Sequence, residues 1–458
     1  MVRISTFRHA PPERRRTADQ IAAERAVVRR QMERWVAAIR GEGIRALARA
    51  DSELLSRRRS DTTLQRFEPD GESGALVASC RLVVRGGPID EPLRRDLAAG
   101  YGLHEVGVPG LPELRVLEEV AVAGGPTLRN RTCSVARELR GRELDVAPVH
   151  MVPLGAVKKA EGGPEPSGPQ PGEPTWTRPE VETSGPRVAL VDTGVSAEQR
   201  SDGWLRGLAR TDNIDPLNAV PVDDYLDQGA GHGQFAAGIV QQVAPGADVD
   251  IRRGLDSEGL GDEVVIAQLI AEAVAAGARI VNLSLGTVTA DDRPPIVLES
   301  AIRAARDAGA LVVCAAGNNG DTRRCWPAAF HAEPGFERTV VSVGALRLGE
   351  DDDDAIGAEW SSHGDWVECS TFGEGVISTY VVGRENPAQD REEPDVFGPA
   401  SWATWSGTSF AAPQIVGAIV RLMQEDPTIA TAREALDMLL EDGTEIAGYG
   451  RAIRILPV

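Results

Sequence analysis

Apolar positions recur with different periods along this chain, and the changes of period divide it. Between Thr17 and Arg40, Ile21, Val28, Met32, Trp35 and Ile39 fall on one helical face. Thr17 and Gln20 are spaced as a capping box at its start. Gly-Glu-Gly at 41–43 stops the helix, and Ile44 to about Arg59 predicts a second, weaker one. Over 74–154 the period alternates. GALVASCRLVVRG reads as a strand, IDEPLRRDLAAGYG as a helix, and GLHEVGVPG and LRVLEEVAV as two strands. CSVARELRGRE is then a helix and DVAPVHMVPLG a last strand. That order, β-α-β-β-α-β, is the ferredoxin-like split βαβ arrangement.

Between about Ala156 and Pro186 no period is present, and Pro, Gly and Glu dominate, which predicts an extended, exposed linker. From Arg187 short apolar runs alternate with helical stretches. RVALVDTGV, ARIVNLSLG and LVVCAAGNNG are strands, while VVIAQLIAEAVAAGA and VLESAIRAARDAGA are helices. This alternation predicts a mostly parallel sheet covered on both faces, a three-layer α/β domain. The chain therefore divides into a helical N-terminal segment (1–73), a small α+β ferredoxin-like domain (74–155), a linker (156–186) and an α/β domain (187–458).

At 458 residues, with 42% apolar residues, a sizeable core is expected. A net charge of −20 argues against general nucleic-acid binding, although the first sixty or so residues are arginine-rich and basic. No apolar run is long enough to predict a membrane span. The N-terminus lacks the apolar core of a secretory signal, so a cytoplasmic location is expected. Five dispersed cysteines, an odd count, fit a reducing compartment better than a disulfide framework.

In a parallel α/β sheet, active sites lie beyond the carboxyl ends of the strands. Three segments stand there. Asp192 follows a buried strand in VALVDTGV. His232 lies between two glycines at the start of an Ala/Gly-rich helix in GHGQFAAGIV. Asn318 follows a strand in LVVCAAGNNG. A fourth, SWATWSGTSFAAPQIVG, puts Ser409 at a helix start, with Pro413 read as part of the first turn, where its missing N–H costs no bond. Singly, each has an ordinary explanation: a turn cap, a core histidine, an Asn-Gly turn, a helix-capping serine. Together, in this order, they are the groups that nucleophilic acyl transfer needs.

VALVDTGV, GHGQFAAGI and SGTSFAAP resemble the three motifs of the subtilases, the subtilisin-like serine peptidases, and AAGN resembles that family's oxyanion segment. The resemblance covers about Arg187 to Val458. It implies a subtilisin-like fold in which Ser409 attacks the scissile carbonyl, His232 transfers the proton and Asp192 orients the imidazole. Asn318 and the Ser409 backbone N–H would receive the oxyanion. It further implies that a polypeptide substrate lies extended between Ser284-Leu285-Gly286 and Gly259-Leu260-Gly261. Ala315, Ala316 and Gly317 would line the S1 pocket, and these small walls predict room for a fairly large P1 side chain. The family often carries a ferredoxin-like propeptide, which 74–154 resembles, so the N-terminal domain is expected as an intramolecular inhibitor or folding aid.

Some residues depart from the pattern. Gln234 and Phe235 replace a threonine and a small residue, which predicts altered packing beside the histidine. GIVQQ runs straight into VAPGADVDI, where secreted relatives insert a calcium-binding loop. That strong site is expected to be absent, and no cofactor is expected. GRENPAQDREEPDVFGP is expected as an exposed loop bordering the cleft. Asp256, Glu258, Asp262 and Glu263 are either acidic subsites for basic residues or ordinary acidic surface. Cys314 reads as a small buried hydrophobe, with Cys325 nearby as a conceivable redox partner. The expected function is a restrained intracellular serine endopeptidase. A ligase or macrocyclase using the same acyl-enzyme stays open, as does a latent protease that docks a protein partner on its N-terminal helices.

Overall fold

The structure, a computed structural model, describes residues 2–9, 16–42, 67–69, 75–86, 88–119, 131–154, 163–169, 175–220, 222–289, 291–349, 354–387 and 393–457. The second N-terminal helix expected over 44–59 lies outside them. The first helix, α1 (Ala18–Glu42), begins with the expected capping box. Thr17 N–H donates to Gln20 Oε1 at 2.7 Å, and Gln20 N–H to Thr17 Oγ1 at 3.2 Å.

The short strands β1 (Val2–Arg3) and β2 (Phe67–Pro69) flank α1 in sequence. The N-terminal α+β unit then runs β3 (Leu76–Arg85), α2 (Glu91–Tyr101), β4 (Leu103–Gly107), β5 (Leu114–Glu119), α3 (Thr132–Arg140) and β6 (Val146–Pro153). Its antiparallel sheet has the order β6-β3-β5-β4, with β2 on β3. This is the ferredoxin-like arrangement expected. One face of β3 buries Leu82 and Val84 against Leu97, Val135 and Leu139 of α2 and α3. The other buries Leu76, Ala78 and Val83 in a second core, shared with the α/β domain.

The linker is less bare than its composition predicts. Within it β7 (Glu165–Ser167) forms a strand, and β8 (Arg187–Asp192) then opens the α/β domain. That domain continues through α4 (His232–Val243), β9 (Asp248–Arg253), β10 (Leu260–Asp262), α5 (Glu263–Ala275), β11 (Ile280–Leu283), α6 (Ile296–Asp307) and β12 (Leu311–Ala315). Next come β13 (Val340–Leu348), β14 (Asp354–Gly357), β15 (Cys369–Phe372), β16 (Val376–Thr379), β17 (Gly383–Arg384), β18 (Val396–Phe397) and β19 (Trp402–Trp405). The chain closes with α7 (Thr408–Glu425), α8 (Ala432–Glu441), β20 (Thr444–Ile446) and β21 (Gly450–Ala452).

The main sheet has the order β20-β21-β15-β13-β12-β11-β8-β9 and is parallel except where β20 meets β21. Helices α4, α7 and α8 cover one face and share a core with it. Helices α5 and α6 cover the other, and the sheet of the N-terminal unit packs on them as a further layer. A smaller sheet joins β16, β19 and β7.

Two N-terminal pieces are part of the α/β domain. β1 adds antiparallel to β14, itself antiparallel to β13 at the sheet edge. Phe7 N–H donates to Arg454 O at 2.7 Å, and Arg454 N–H to Ser5 O at 2.9 Å. The apolar stripe of α1 (Val28, Met32, Trp35) is covered by Ala345, Ala358 and Trp360. Among the described residues, no helix is long and apolar enough to cross a membrane.

Candidate active site

Asp192 is the last residue of β8 and is fully buried. Its Oδ1 accepts the Thr193 N–H at 2.7 Å and lies 2.8 Å from His232 Nδ1. His232 opens α4, and Gly231 before it takes a left-handed φ of 77° at the helix cap. Gly233 after it is equally constrained: a Cβ there would come within 2.5 Å of Gly194 O. Gly233 lets the helix start press against the strand end that carries the aspartate, and Gly231 lets it press against Val381 and Tyr380.

Three aromatic residues cluster at this imidazole. Its ring centroid is 5.0 Å from Phe410 and 5.4 Å from Trp405, and Phe235 packs on both of those rings. Phe235 thus backs the two rings that touch the histidine. Gln234 accepts Ser196 N–H at 3.2 Å and donates to Tyr380 O at 2.9 Å.

Ser409 is the second residue of α7, where backbone N–H groups have no intrahelical partner. Its hydroxyl donates to Ser284 O at 3.2 Å, while Ser284 Oγ donates to Ser409 O at 2.7 Å. Pro413 stands inside α7, one turn beyond the position expected. Its missing N–H therefore does cost a bond, the one that Ser409 O would accept, and the Ser284 hydroxyl replaces it. Asn318 is buried, and its Oδ1 accepts both Thr408 N–H, at 3.0 Å, and Thr408 Oγ1, at 2.9 Å. Those bonds turn its amide nitrogen away from Thr408.

Asp215 was missed by sequence reasoning, for it sits in a loop with no motif. It is 2% exposed and accepts Gly231 N–H at 2.9 Å and Leu217 N–H at 3.0 Å. Burial pushes its carboxyl up to about 6, against those two N–H groups and the Thr193 hydroxyl, which hold it down. It thus bonds a neighbour of His232 and a neighbour of Asp192.

The two expected substrate segments are already engaged by the end of β6. β10 pairs antiparallel with it: Leu260 with Pro153, Gly261 with Val152, Asp262 with Met151. Leu154 N–H donates to Gly259 O at 2.9 Å, and Gly286 N–H to Pro153 O at 3.2 Å. The four acidic residues at this edge have other employment. Asp256 accepts the N–H groups of Glu258 and Leu260, and Asp262 caps α5 and pairs with Arg81. Glu263, fully buried, accepts His150 N–H at 2.8 Å, and Glu258 is 5% exposed. The β6 residues that face β10, Met151, Val152 and Pro153, are apolar, while His150 of the same strand brings its Nδ1 to 3.2 Å from Glu263 Oε1.

Of the residues expected to line S1, Ala315 closes β12, and Ala316 and Gly317 follow it. Cys325 lies against both Gly317 and Gly286. A Cβ on Gly286 would lie 2.6 Å from Cys325 Sγ, and one on Gly317 would lie 3.0 Å from it. Cys314 and Cys325 are both buried free thiols. Of GRENPAQDREEPDVFGP, the described ends pair as β17 and β18, with Glu385 buried. Among the described residues, no group of three or more His, Cys, Asp or Glu could hold a metal ion.

A mostly parallel sheet that delivers an aspartate, a histidine and a serine, in that order, to one rim is the plan of the subtilisin-like serine endopeptidases, and comparison with known proteins agrees. A model of the subtilase family matches residues 183–448, and the chain belongs to that family. It is 29% identical over 281 residues to a thermophilic serine proteinase of Bacillus sp. (strain AK1), covering 58% of this chain and 59% of that relative. It is 27% identical over 280 residues to thermitase of Thermoactinomyces vulgaris, covering 59% of this chain and 85% of thermitase. Among solved structures, fervidolysin from Fervidobacterium pennivorans, described as a keratinolytic enzyme related to subtilisin, superposes with a TM-score of 0.56 at 19% identity. That match covers 85% of this chain and 61% of fervidolysin. It supports the fold alone.

Proposed function

We propose that this chain is a serine endopeptidase whose cleft is held closed by its own N-terminal unit. Ser409 Oγ is the nucleophile, His232 Nε2 its base, and Asp192 fixes the Nδ1–H tautomer and stabilises the imidazolium. The resting serine bonds to Ser284 O. In an antiparallel register that carbonyl is the acceptor for the N–H of the residue being cleaved after. A seated substrate would take that acceptor and release the hydroxyl toward the imidazole. The oxyanion would then meet the Asn318 side-chain amide and the Ser409 backbone N–H, both fixed before reaction.

One observation carries the restraint: Met151–Leu154 lie in the groove as a substrate would, hydrogen-bonded to Gly259 and Gly286. Three arginines of the same unit support it. Arg81 pairs with Asp262, Arg85 with Glu299 at 2.5 Å, and Arg140 with Asp291 at 2.5 Å. With Pro153 opposite Gly286 and Leu154 beside Gly259, the next residue in sequence, Gly155, is the one that Ser409 would acylate. Self-cleavage is therefore assigned to the Gly155–Ala156 bond. Five free cysteines support a reducing compartment.

The test is the intact mass of purified full-length protein beside Ser409→Ala, with fluorophosphonate labelling of both. The expected result is two fragments meeting at 155/156 and a labelled Ser409 in the native chain only. An unlabelled, intact native chain overturns the proposal. Hydrolysis is favoured over ligation because no described feature of the site holds an acceptor amine, and the product of cutting in water distinguishes them.

A further inference from the structure

Cys325 is far in sequence from the substrate segments, yet it is built firmly into the pocket beside them. Thr287 and Trp326 exchange two backbone hydrogen bonds of 2.8 Å, and Cys325 O accepts Ala329 N–H at 2.8 Å. The thiol is 3% exposed. Its sulfur reaches both walls, for the space a first side-chain carbon would need on Gly286 or Gly317 is the space the sulfur fills or abuts. On the Gly286 side the Trp326 carbonyl oxygen lies 3.2 Å from that carbon position, and on the Gly317 side Ser362 Oγ lies 3.1 Å from it. None of these neighbours is the far end of a flexible side chain.

We propose that Cys325 sets the substrate class by restricting P1, the residue before the cut bond, to glycine or alanine. The proposal rests on the reading above that 151–154 occupy the groove as substrate. A slot floored by sulfur leaves room for little beyond a methyl group. The chain's own sequence obeys the rule, for the residue after Leu154 is glycine. It also states the rest of the preference. Leu154 (P2) lies directly over Gly259, where a Cβ would meet its Cδ1 at 2.5 Å, and Val152 (P4) is fully buried. Pro153 (P3) is half-exposed and, lacking an N–H, asks nothing of Gly286 O. Natural substrates are thus extended polypeptides with small P1 and apolar P2 and P4 residues.

The test uses the full chain as its own substrate. Gly155→Phe should slow linker cutting at least about tenfold relative to Gly155→Ala, a typical pocket discrimination. Cys325→Gly in the Gly155→Phe chain should restore cutting by a similar factor. A Gly155→Phe chain cut as fast as Gly155→Ala, or a double variant no faster than Gly155→Phe alone, overturns the assignment. The same pair is compared without chemistry in a Ser409→Ala background. There Gly155→Phe should lower the melting temperature relative to Gly155→Ala, and Cys325→Gly should recover the difference. Equal melting temperatures for all three refute a closed pocket even if no variant is ever cut. Failure of fluorophosphonate to label the native serine sinks the peptidase reading instead, and leaves the melting comparison to judge the pocket.

Discussion

The Ser284 hydroxyl donates to the Ser409 carbonyl at 2.7 Å, in the place where the N–H of residue 413 would stand were that residue not proline. The backbone of the proposed nucleophile is therefore held from outside its own helix, by a residue of the proposed substrate edge. Asn282 Nδ2 in turn donates to Ser284 Oγ at 2.9 Å. The two segments are joined by side-chain hydrogen bonds as well as by the fold.

Ser284→Ala removes that donor and leaves a buried carbonyl unsatisfied, a cost of about 1–3 kcal/mol. The expected outcome is a melting temperature lower by several degrees and a slower fluorophosphonate labelling of Ser409. Unchanged labelling would show that the link does not position the nucleophile.

Asn318 serves two ends: its Oδ1 holds Thr408, and its amide nitrogen is the proposed oxyanion donor. Asn318→Ala and Asn318→Asp should both slow linker cutting by about 10²–10³, the loss typical of one such donor. Only Asn318→Ala should lose stability as well, since aspartate keeps an acceptor for Thr408. Equal stabilities, or a full cutting rate in either variant, contradict the two-ended role.

Asp215 carries a pH signature. Burial raises its carboxyl from an ordinary 3.8 to about 6, so the folded chain binds more protons than the unfolded one between those values. Its contribution to stability is then fully present below about pH 4 and is lost as the pH rises through about 6. Asp215→Asn has no such loss. Urea unfolding of both proteins at pH 4 and pH 7 should show the variant gaining on the native chain by about 2 kcal/mol between the two. A difference that does not change with pH would mean the carboxyl titrates normally.

Arg85 pairs with Glu299 across the interface and also donates to Ile296 O at 3.3 Å. Glu299 is desolvated there, yet Arg85 and Arg303 together hold its carboxyl below its usual 4.5. Its share of the docking energy is therefore present above that range and lost as the pH falls through it. Arg85→Ala should cost about 1 kcal/mol of docking, since the pair is partly exposed, and raise peptidase activity of the cut protein roughly fivefold at neutral pH. No rise would place the restraint in the groove strand alone.

The positions of Asp192, His232, Asn318 and Ser409 were legible because each follows or opens a strongly periodic element, and a parallel sheet sends such ends to one rim. The β-α-β-β-α-β order of 76–153 was legible for the same reason. What escaped depends on partners remote in sequence. β1 and β7 are too short to show a period and exist because open strand edges, at β14 and β19, receive them. Asp215 lies in a loop, and its importance comes from Gly231, which only the folded chain brings to it. The approach of Cys325 to Gly286 and Gly317 was not legible either, because the Thr287–Trp326 pairing brings it there.

Val2 and Arg3 are sewn into the main sheet, and α1 lies on Trp360, on the same chain that carries the groove-filling strand. A break after residue 155 would hence sever the polypeptide without dissolving the particle. The freed end would stay at a high effective concentration near the groove, however dilute the solution, so reblocking would outrun competitors for the site. On the proposed reading, release of the groove would then need the first forty residues to be freed as well as the linker cut, a mechanical latch rather than a simple cut.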